Sequence, residues 1–215
     1  MKILAIDTST DYLTLALTDG ENVLAQFNKK SHRSHSRLLI AMIDKLLKRC
    51  RVKLRNIDGF CIGIGPGSFT GLRIGVTTIK GLAYSLEKPV AAVPTFDVIA
   101  RNVKNFKGII CPVLDARKNK VYACLYKSDG KNIKRISKYL LISVKELMEK
   151  TAKYDKIFFL GDCPDLIHVR DMNWYPKAEV LGRLGFEDFK KKRFIKPEDL
   201  EPMYLYSKEC DVTGR

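Results

Sequence analysis

Residues 65–75 read Gly-Pro-Gly-Ser-Phe-Thr-Gly-Leu-Arg-Ile-Gly, and this is the most informative stretch of the chain. An apolar run over 59–64, typical of a buried strand, precedes it, and a helical pattern over about 70–86 follows it. Glycines permit a tight turn and a close approach of the backbone, and the free N–H groups at a helix start favour an anion. The stretch therefore predicts either a phosphate-binding loop or a purely structural strand-to-helix turn.

Two well-known phosphate-binding motifs do not fit this loop. A P-loop requires a lysine before its serine or threonine, and the loop has none. The dinucleotide fingerprint requires a glycine where Thr70 stands. Both interpretations of the loop, phosphate binding and structural turn, stay open at this point.

The first predicted strand, 2–8, ends in the polar sequence Asp7-Thr8-Ser9-Thr10. A carboxylate with neighbouring hydroxyls at a strand end has two interpretations of equal weight. Asp7 either holds a metal-bound phosphate, with the hydroxyls facing the same oxygens, or forms an Asx turn between two strands.

Hydrophobic periodicity predicts a mixed α/β chain. Alternation over 12–18, the Asp19-Gly20 turn and the run 22–28 predict a hairpin, which makes at least one strand pair antiparallel. Predicted helices cover 34–50, 70–86, 96–102, 143–152 and 178–190, with Thr95 and Ser143 as caps of the third and fourth. Further strands are expected over 59–64, 90–93, 109–114, 119–127, 132–142 and 156–160. The polar stretch 102–108 predicts a boundary between an N-terminal lobe, 1–105, and a C-terminal lobe, 106–215, whose last segment could return to the first lobe.

The chain is strongly basic. Its 215 residues hold 39 Lys and Arg against 24 Asp and Glu, a formal charge of +15. Such an excess indicates either a polyanionic partner, nucleic acid above all, or solvated surface charge. The basic residues concentrate in three clusters, 45–55, 117–138 and 190–193. Aromatic residues are too sparse among them to predict base stacking.

The remaining features predict a cytoplasmic protein without a metal centre. No apolar run approaches the roughly 20 residues of a membrane helix, and the N-terminal run meets Asp7 before a signal-peptide core could form. The six cysteines form no CxxC pair and are expected to be reduced. His32 and His35 lack a third ligand and stand among arginines, and His168 stands alone. Tyr204 and Tyr206 are expected to be packing residues.

The run Gly65–Gly75 resembles that of one bacterial family closely, the tRNA threonylcarbamoyladenosine biosynthesis proteins TsaB, also called YeaZ. The resemblance extends in order over nearly the whole chain. Further matching segments are Ile3–Thr10, His35-Ser36 with Leu38-Leu39, Lys80–Ala83, Val113–Arg117, Val121–Ala123, Gly161-Asp162 and Pro202–Leu205.

This resemblance implies the actin-like ATPase fold, which is ribonuclease H-like, with two lobes that each hold a mixed five-stranded sheet and helices. It also implies a non-catalytic scaffold or activator. Such a subunit binds the TsaD-type transferase, in a complex with a TsaE-type ATPase, which adds threonylcarbamoyl to the adenosine beside the anticodon of tRNAs. No tightly bound cofactor is expected, because ATP and Mg²⁺ would lie on the partner subunits. The chain is expected to self-associate when it is alone.

The resemblance assigns two sets of residues. The partner surface is expected on the first two helices, at Leu39, Met42, Ile43, Leu46, Arg73, Ile74 and Thr77. The structural motif is expected at Asp7, Gly65, Gly67, Ser68, Thr70 and Gly71. The sequence departs from the family at Arg37, where the family usually has Glu, and this charge reversal on a partner helix could alter its contacts.

Two other functions remain as alternatives. One is an actin-like ATPase or small-molecule kinase that uses Asp7 and the Gly65–Thr70 loop around Mg-ATP. The other is a tRNA-binding module whose affinity would fall steeply with salt.

Overall fold

A computed structural model describes residues 1–31, 34–163 and 174–206. These residues form two compact units. The first is built from the described residues within Met1–Asn102 and Asn173–Pro202, and the second from those within Val103–Met172 and Met203–Arg215. The first unit is therefore discontinuous in sequence.

The first unit contains a mixed five-stranded sheet. Its strands are β1 (Lys2–Asp7), β2 (Tyr12–Asp19), β3 (Asn22–Lys30), β4 (Gly59–Gly63) and β5 (Val90–Val93). Their order across the sheet is β3-β2-β1-β4-β5. Strand β2 pairs antiparallel with both β1 and β3. Strand β4 pairs parallel with both β1 and β5. This arrangement confirms the predicted α/β fold with an antiparallel opening hairpin.

Helices cover both faces of this sheet. They are α1 (His35–Arg49), α2 (Phe69–Ser85), α3 (Thr95–Ala100) and, from late in the chain, α5 (Ala178–Lys190). Leu4, Ile6 and Leu15 point to one face, where α1 and α2 bury their apolar sides. Ile3 and Ala5 point to the other, where α5 packs. Successive strand residues alternate between the faces, so β1 contributes to both cores.

Two glycines bring α5 close to the sheet. A Cβ on Gly182 would lie 2.7 Å from Cγ2 of Thr18, and a Cβ on Gly185 would lie 2.6 Å from Sγ of Cys61. Both separations are shorter than ordinary van der Waals contact. Helix α5 therefore rests on β2 and β4 at a separation that only glycine permits at these positions.

The second unit contains a six-stranded sheet and one helix. The strands are β6 (Lys107–Asp115), β7 (Lys120–Ala123), β8 (Tyr126–Asp129), β9 (Ile133–Arg135), β10 (Leu140–Ser143) and β11 (Ile157–Gly161). Helix α4 (Val144–Thr151) follows β10 and starts at Ser143 in a capping box with Glu146. One edge of β6 pairs with β11. The other edge pairs with β8 along the first half of β6 and with β7 along its last residues.

The structure corrects three expectations. The predicted strand 119–127 breaks into β7 and β8, because β6 is long enough to pair with both in succession. The predicted strand 132–142 likewise divides into β9 and β10, so the second sheet has six strands instead of five. Thr95 does not cap α3 with its side chain, because Pro94 occupies the cap position and the Thr95 hydroxyl bonds elsewhere. Among the described residues, no helix has the length and apolar character needed to cross a membrane.

Candidate functional site

The glycine-rich loop packs directly on the end of β1. Backbone N–H of Ser68 donates to the carbonyl of Ser9 over 2.7 Å, and the Thr8 hydroxyl donates to the carbonyl of Gly71 over 2.7 Å. The Ser68 hydroxyl caps α2 by accepting from Gly71 N–H at 3.2 Å. Part of the hydrogen-bonding capacity at this helix start is thus used within the chain, which favours the structural interpretation of the loop.

Three glycines make this packing possible. A Cβ on Gly67 would overlap the carbonyl oxygen of Ser9, and a Cβ on Gly71 would overlap that of Thr8. On the neighbouring strand, a Cβ on Gly63 would overlap the Asp7 carboxylate. The sequence motif therefore encodes close contact between backbones.

Asp7 lies at the centre of this contact with no exposed surface. Its Oδ1 accepts from Ser9 N–H at 2.7 Å and from the Ser9 hydroxyl at 2.6 Å. Its Oδ2 accepts from the Thr95 hydroxyl at 3.0 Å. The bond to the backbone two residues on confirms the Asx-turn interpretation. Burial raises the pKa of Asp7, and the hydrogen bonds from Ser9 and Thr95 oppose that rise.

The surroundings of Asp7 do not fit a Mg-nucleotide. Mg²⁺ in nucleotide sites is bound through one or two carboxylates, phosphates and several waters, which need space around the carboxylate. Here both carboxylate oxygens already accept from Ser9 and Thr95, and Gly63 fills the space beside Oδ2. The arrangement lacks room for a hydrated cation at this carboxylate.

The remaining members of the predicted motif differ in accessibility. Gly65 is buried, and its N–H donates to the Thr95 hydroxyl at 3.2 Å. Thr70 and Ser68 are exposed. The structure therefore brings Asp7, Gly65, Gly67, Ser68 and Gly71 into one packed turn, and it places Thr70 at the solvent side of the first turn of α2.

His35 is hydrogen-bonded to the segment that follows β1. It is buried at the start of α1, and its Nε2 donates to the carbonyl of Thr10 over 2.7 Å. His32 and His168 lie outside the described residues. Within the described ranges, no three His, Cys, Asp or Glu side chains are grouped as metal ligands would be.

The partner residues predicted on α1 divide into two groups. Leu39, Ile43 and Leu46 belong to the core between α1 and the sheet, with Ile43 only 4% exposed. A side chain that is almost wholly covered by its own core has no area left for a partner, so the assignment of these three residues to a partner surface is corrected. Met42 is half-buried and packs against the same core.

On α2 the predicted residues lie closer to solvent. Arg73 and Thr77 are exposed, and Ile74 is half-buried. The Arg73 guanidinium lies 3.9 Å from the centroid of the Phe69 ring, which is itself partly exposed. A cation over an aromatic face is a stabilising arrangement that also holds the ring in place.

The predicted partner residues omit the two most exposed apolar side chains of these helices. Ile40 on α1 is 58% exposed, and Tyr84 on α2 is 65% exposed. The extra width of the apolar stripe at Ile40 and Ala41 was the available signal for the first of them. We call Ile40, Ala41, Phe69, Arg73, Thr77 and Tyr84 the helical surface.

Comparison with known proteins places the chain in a family. The family model for TsaD, tRNA N6-adenosine threonylcarbamoyltransferase, matches residues 23–168. Over 215 residues the chain is 31% identical to the tRNA threonylcarbamoyladenosine biosynthesis protein TsaB of Bacillus subtilis, and the match covers 100% of the chain and 91% of that protein. The chain belongs to the TsaB family. The TsaD match places this TsaB-family chain within a wider group of related sequences.

Solved structures agree with this assignment. YeaZ from Pseudomonas aeruginosa superimposes with a TM-score of 0.82 at 25% identity, covering 95% of this chain and 99% of that one. A second Pseudomonas aeruginosa protein, described as similar to peptidase YEAZ, gives a TM-score of 0.84 at 26% identity with the same coverage. The family and the fold predicted from the Gly65–Gly75 motif are therefore confirmed.

Proposed function

We propose that this TsaB-family chain is a non-catalytic subunit in the biosynthesis of threonylcarbamoyladenosine in tRNA. Its role is to bind and activate a TsaD-type transferase in the cytoplasm. A TsaE-type ATPase and the tRNA join through the complex, and the chain itself holds no nucleotide. When alone, it self-associates through the surface that binds the transferase.

The buried carboxylate of Asp7 carries the non-catalytic part of this proposal. An actin-like ATPase or kinase would need Asp7 accessible to Mg-ATP, whereas here Ser9, Thr95 and Gly63 enclose it. The glycine motif is used to pack α2 onto β1, which fixes one of the two helices that carry the helical surface.

The helical surface supports the partner role. Helices α1 and α2 pack side by side on one face of the sheet. Exposed Ile40, Tyr84 and the Phe69–Arg73 pair combine apolar area with an aromatic and an arginine. Aromatic residues and arginine are enriched where protein interfaces concentrate their binding energy.

The test is complex formation with the TsaD-type protein of the same organism, measured by size-exclusion chromatography with light scattering. The wild-type chain is expected to elute at the mass of a complex. Tyr84→Glu should abolish that complex, because a carboxylate replaces an exposed aromatic on the helical surface. A matched control is Met148→Glu, which places the same charge at an exposed apolar helix position in the second unit.

Two results would contradict the proposal. Separate elution of two folded wild-type proteins would remove the partner role. ATP hydrolysis or micromolar ATP binding by the isolated chain, lost in Asp7→Asn, would restore the kinase alternative.

A further inference from the structure

We infer that the second unit carries a binding surface for the phosphate backbone of RNA, formed by Lys107, Lys127, Lys131 and Lys134. This inference rests on the proposed function for the identity of the RNA, an unmodified tRNA. We call these four residues the lysine corner, since they lie where the starts of β6 and β9 meet the turn after β8.

The register of the second sheet places like charges side by side. Lys127 on β8 stands directly opposite Lys134 on the edge strand β9. Both side chains are exposed, and within the described part of the chain neither has a carboxylate within ion-pair distance. Directly opposed like charges destabilise a sheet. A bound polyanion would reverse that effect.

Lys107 extends the same face. It pairs with Asp129 in register and lies two residues before Ile109, which pairs with Lys127. Because strand residues two apart share a face, Lys107, Lys127 and Lys134 point to the same side of the sheet. Beside them, Asn105, Lys107, Asp129, Gly130 and Lys131 line a depression of about 450 Å³.

Asp129, an acidic residue at this corner, forms hydrogen bonds within the turn. Asp129 Oδ1 accepts from the backbone N–H of Lys131 at 2.8 Å and of Asn132 at 2.7 Å. These bonds, with one from the Asn132 side chain, lower the pKa of Asp129 to about 2. The ionised carboxylate therefore shapes the turn, and the four lysines of the corner outnumber it.

Among the described residues, the helix of the second unit packs on another part of this face of the sheet. The apolar residues of the same face, among them Cys111, Val121 and Phe159, form the core around Leu147 of α4. The main strand contacts of helix α4 are with β7 and β10. This face thus carries apolar side chains beside α4 and exposed lysines at β8 and β9.

Part of the charge in the other two basic clusters has a local explanation. In 190–193, Lys190 lies 3.3 Å from Glu21, and Lys191 lies 3.5 Å from Glu187. The cluster 45–55 begins in the last turn of α1, where Lys48 pairs with Asp44 and the helix end itself favours positive charge. The lysine corner lacks both kinds of compensation among the described residues.

The chemistry of the corner indicates which RNA groups it would contact. Lysines form point-charge contacts with phosphates, and such contacts carry no sequence information. The expected ligand is therefore the backbone of a folded RNA, held through two or more phosphates.

The test is a fluorescence anisotropy titration of labelled, unmodified tRNA transcript with the full chain, from about 50 to about 200 mM salt. The double variant Lys127→Gln with Lys134→Gln should bind roughly tenfold more weakly and reduce the slope of log K against log salt by about two. Its melting temperature should not fall, because the opposed charges are gone. The control is Lys190→Gln with Lys191→Gln, which should leave tRNA affinity nearly unchanged.

Three results would overturn the inference. They are absence of tRNA binding by the wild-type chain, equal affinity of the double variant, and an equal loss in the control variant. Equal affinity together with new aggregation would show that the lysines only protect an edge strand. The double variant should still form the complex with the TsaD-type protein, so failure of the proposed function and failure of the lysine corner give different results.

Discussion

The carboxylate of Asp7 accepts a hydrogen bond of 3.0 Å from the hydroxyl of Thr95, which lies 88 residues further along the chain. Thr95 begins α3 directly after β5, and Asp7 ends β1. The bond therefore joins the ends of two strands that β4 separates in the sheet. A buried polar network of Asp7, Ser9 and Thr95 therefore connects these two strand ends.

We expect Asp7→Asn to fold and to make stability less dependent on pH. Burial raises the pKa of Asp7 above 3.8, so the folded chain holds this proton to a higher pH than the unfolded chain does. Ionisation of Asp7 therefore lowers the free energy of unfolding as the pH rises above that value. The difference in the free energy of unfolding between Asp7→Asn and wild type should therefore shift in favour of Asp7→Asn between about pH 4 and about pH 7. Urea denaturation at a series of pH values would measure it.

Asp7→Ala is the contrasting variant. It removes the acceptor for the Ser9 N–H and for two hydroxyls, so it should lose about 3 kcal/mol near pH 4. This loss relative to wild type should become smaller as the pH rises, because the variant also lacks the ionisation that destabilises the wild type. A difference between Asp7→Asn and wild type that stays constant with pH would contradict the role given to burial.

Gly63→Ala should destabilise the first unit by about 3 kcal/mol, because the added methyl group overlaps the Asp7 carboxylate in a packed core. Gly81→Ala is the matched control. Gly81 lies in α2, and a methyl group added there would have no neighbouring atom within 4 Å, so alanine should raise stability by up to about 1 kcal/mol. Urea denaturation midpoints should move in opposite directions. Equal shifts would show that the Gly63 contact is not tight.

Arginine should destabilise the protein at one position of α1 and leave its stability unchanged at another position three residues away. Ile43→Arg puts a charge into the core and should cost more than about 4 kcal/mol. Ile40→Arg changes an exposed side chain and should leave stability within about 0.5 kcal/mol. Circular dichroism melts would test this pair. A folded Ile43→Arg variant with an unchanged melt would mean that Ile43 is available to a partner after all.

The sequence was sufficient for the family, the α/β class and most element positions, because the Gly65–Gly75 motif and the hydrophobic periods are local signals. It was insufficient to show which face of α1 packs against the sheet. The apolar stripe containing Leu39 and Ile43 fits both a core face and a partner face, and only packing against the sheet separates the two. The same limit applies to Asp7, whose environment depends on the distant Thr95.

The break between β7 and β8 had no local signal either. Residues 119–127 have strand character throughout, and the division at Cys124–Leu125 follows from how β6 shares its edge. Strand pairing depends on tertiary context more than on propensity, so an unbroken strand was the natural expectation.

Helix α5 has a consequence for how the protein is made. All five strands of the first unit's sheet have been synthesised once β5 has left the ribosome, but α5 (Ala178–Lys190), which packs on the second face of that sheet, arrives only later. The entire second sheet is synthesised in between. Apolar Ile3, Ala5 and Ala16 are then exposed on the nascent chain, and exposed apolar surface on a partly folded chain promotes aggregation. Synthesis that stalls before Gly182 should therefore yield a chain that depends on chaperones, whereas the finished chain closes its own sheet.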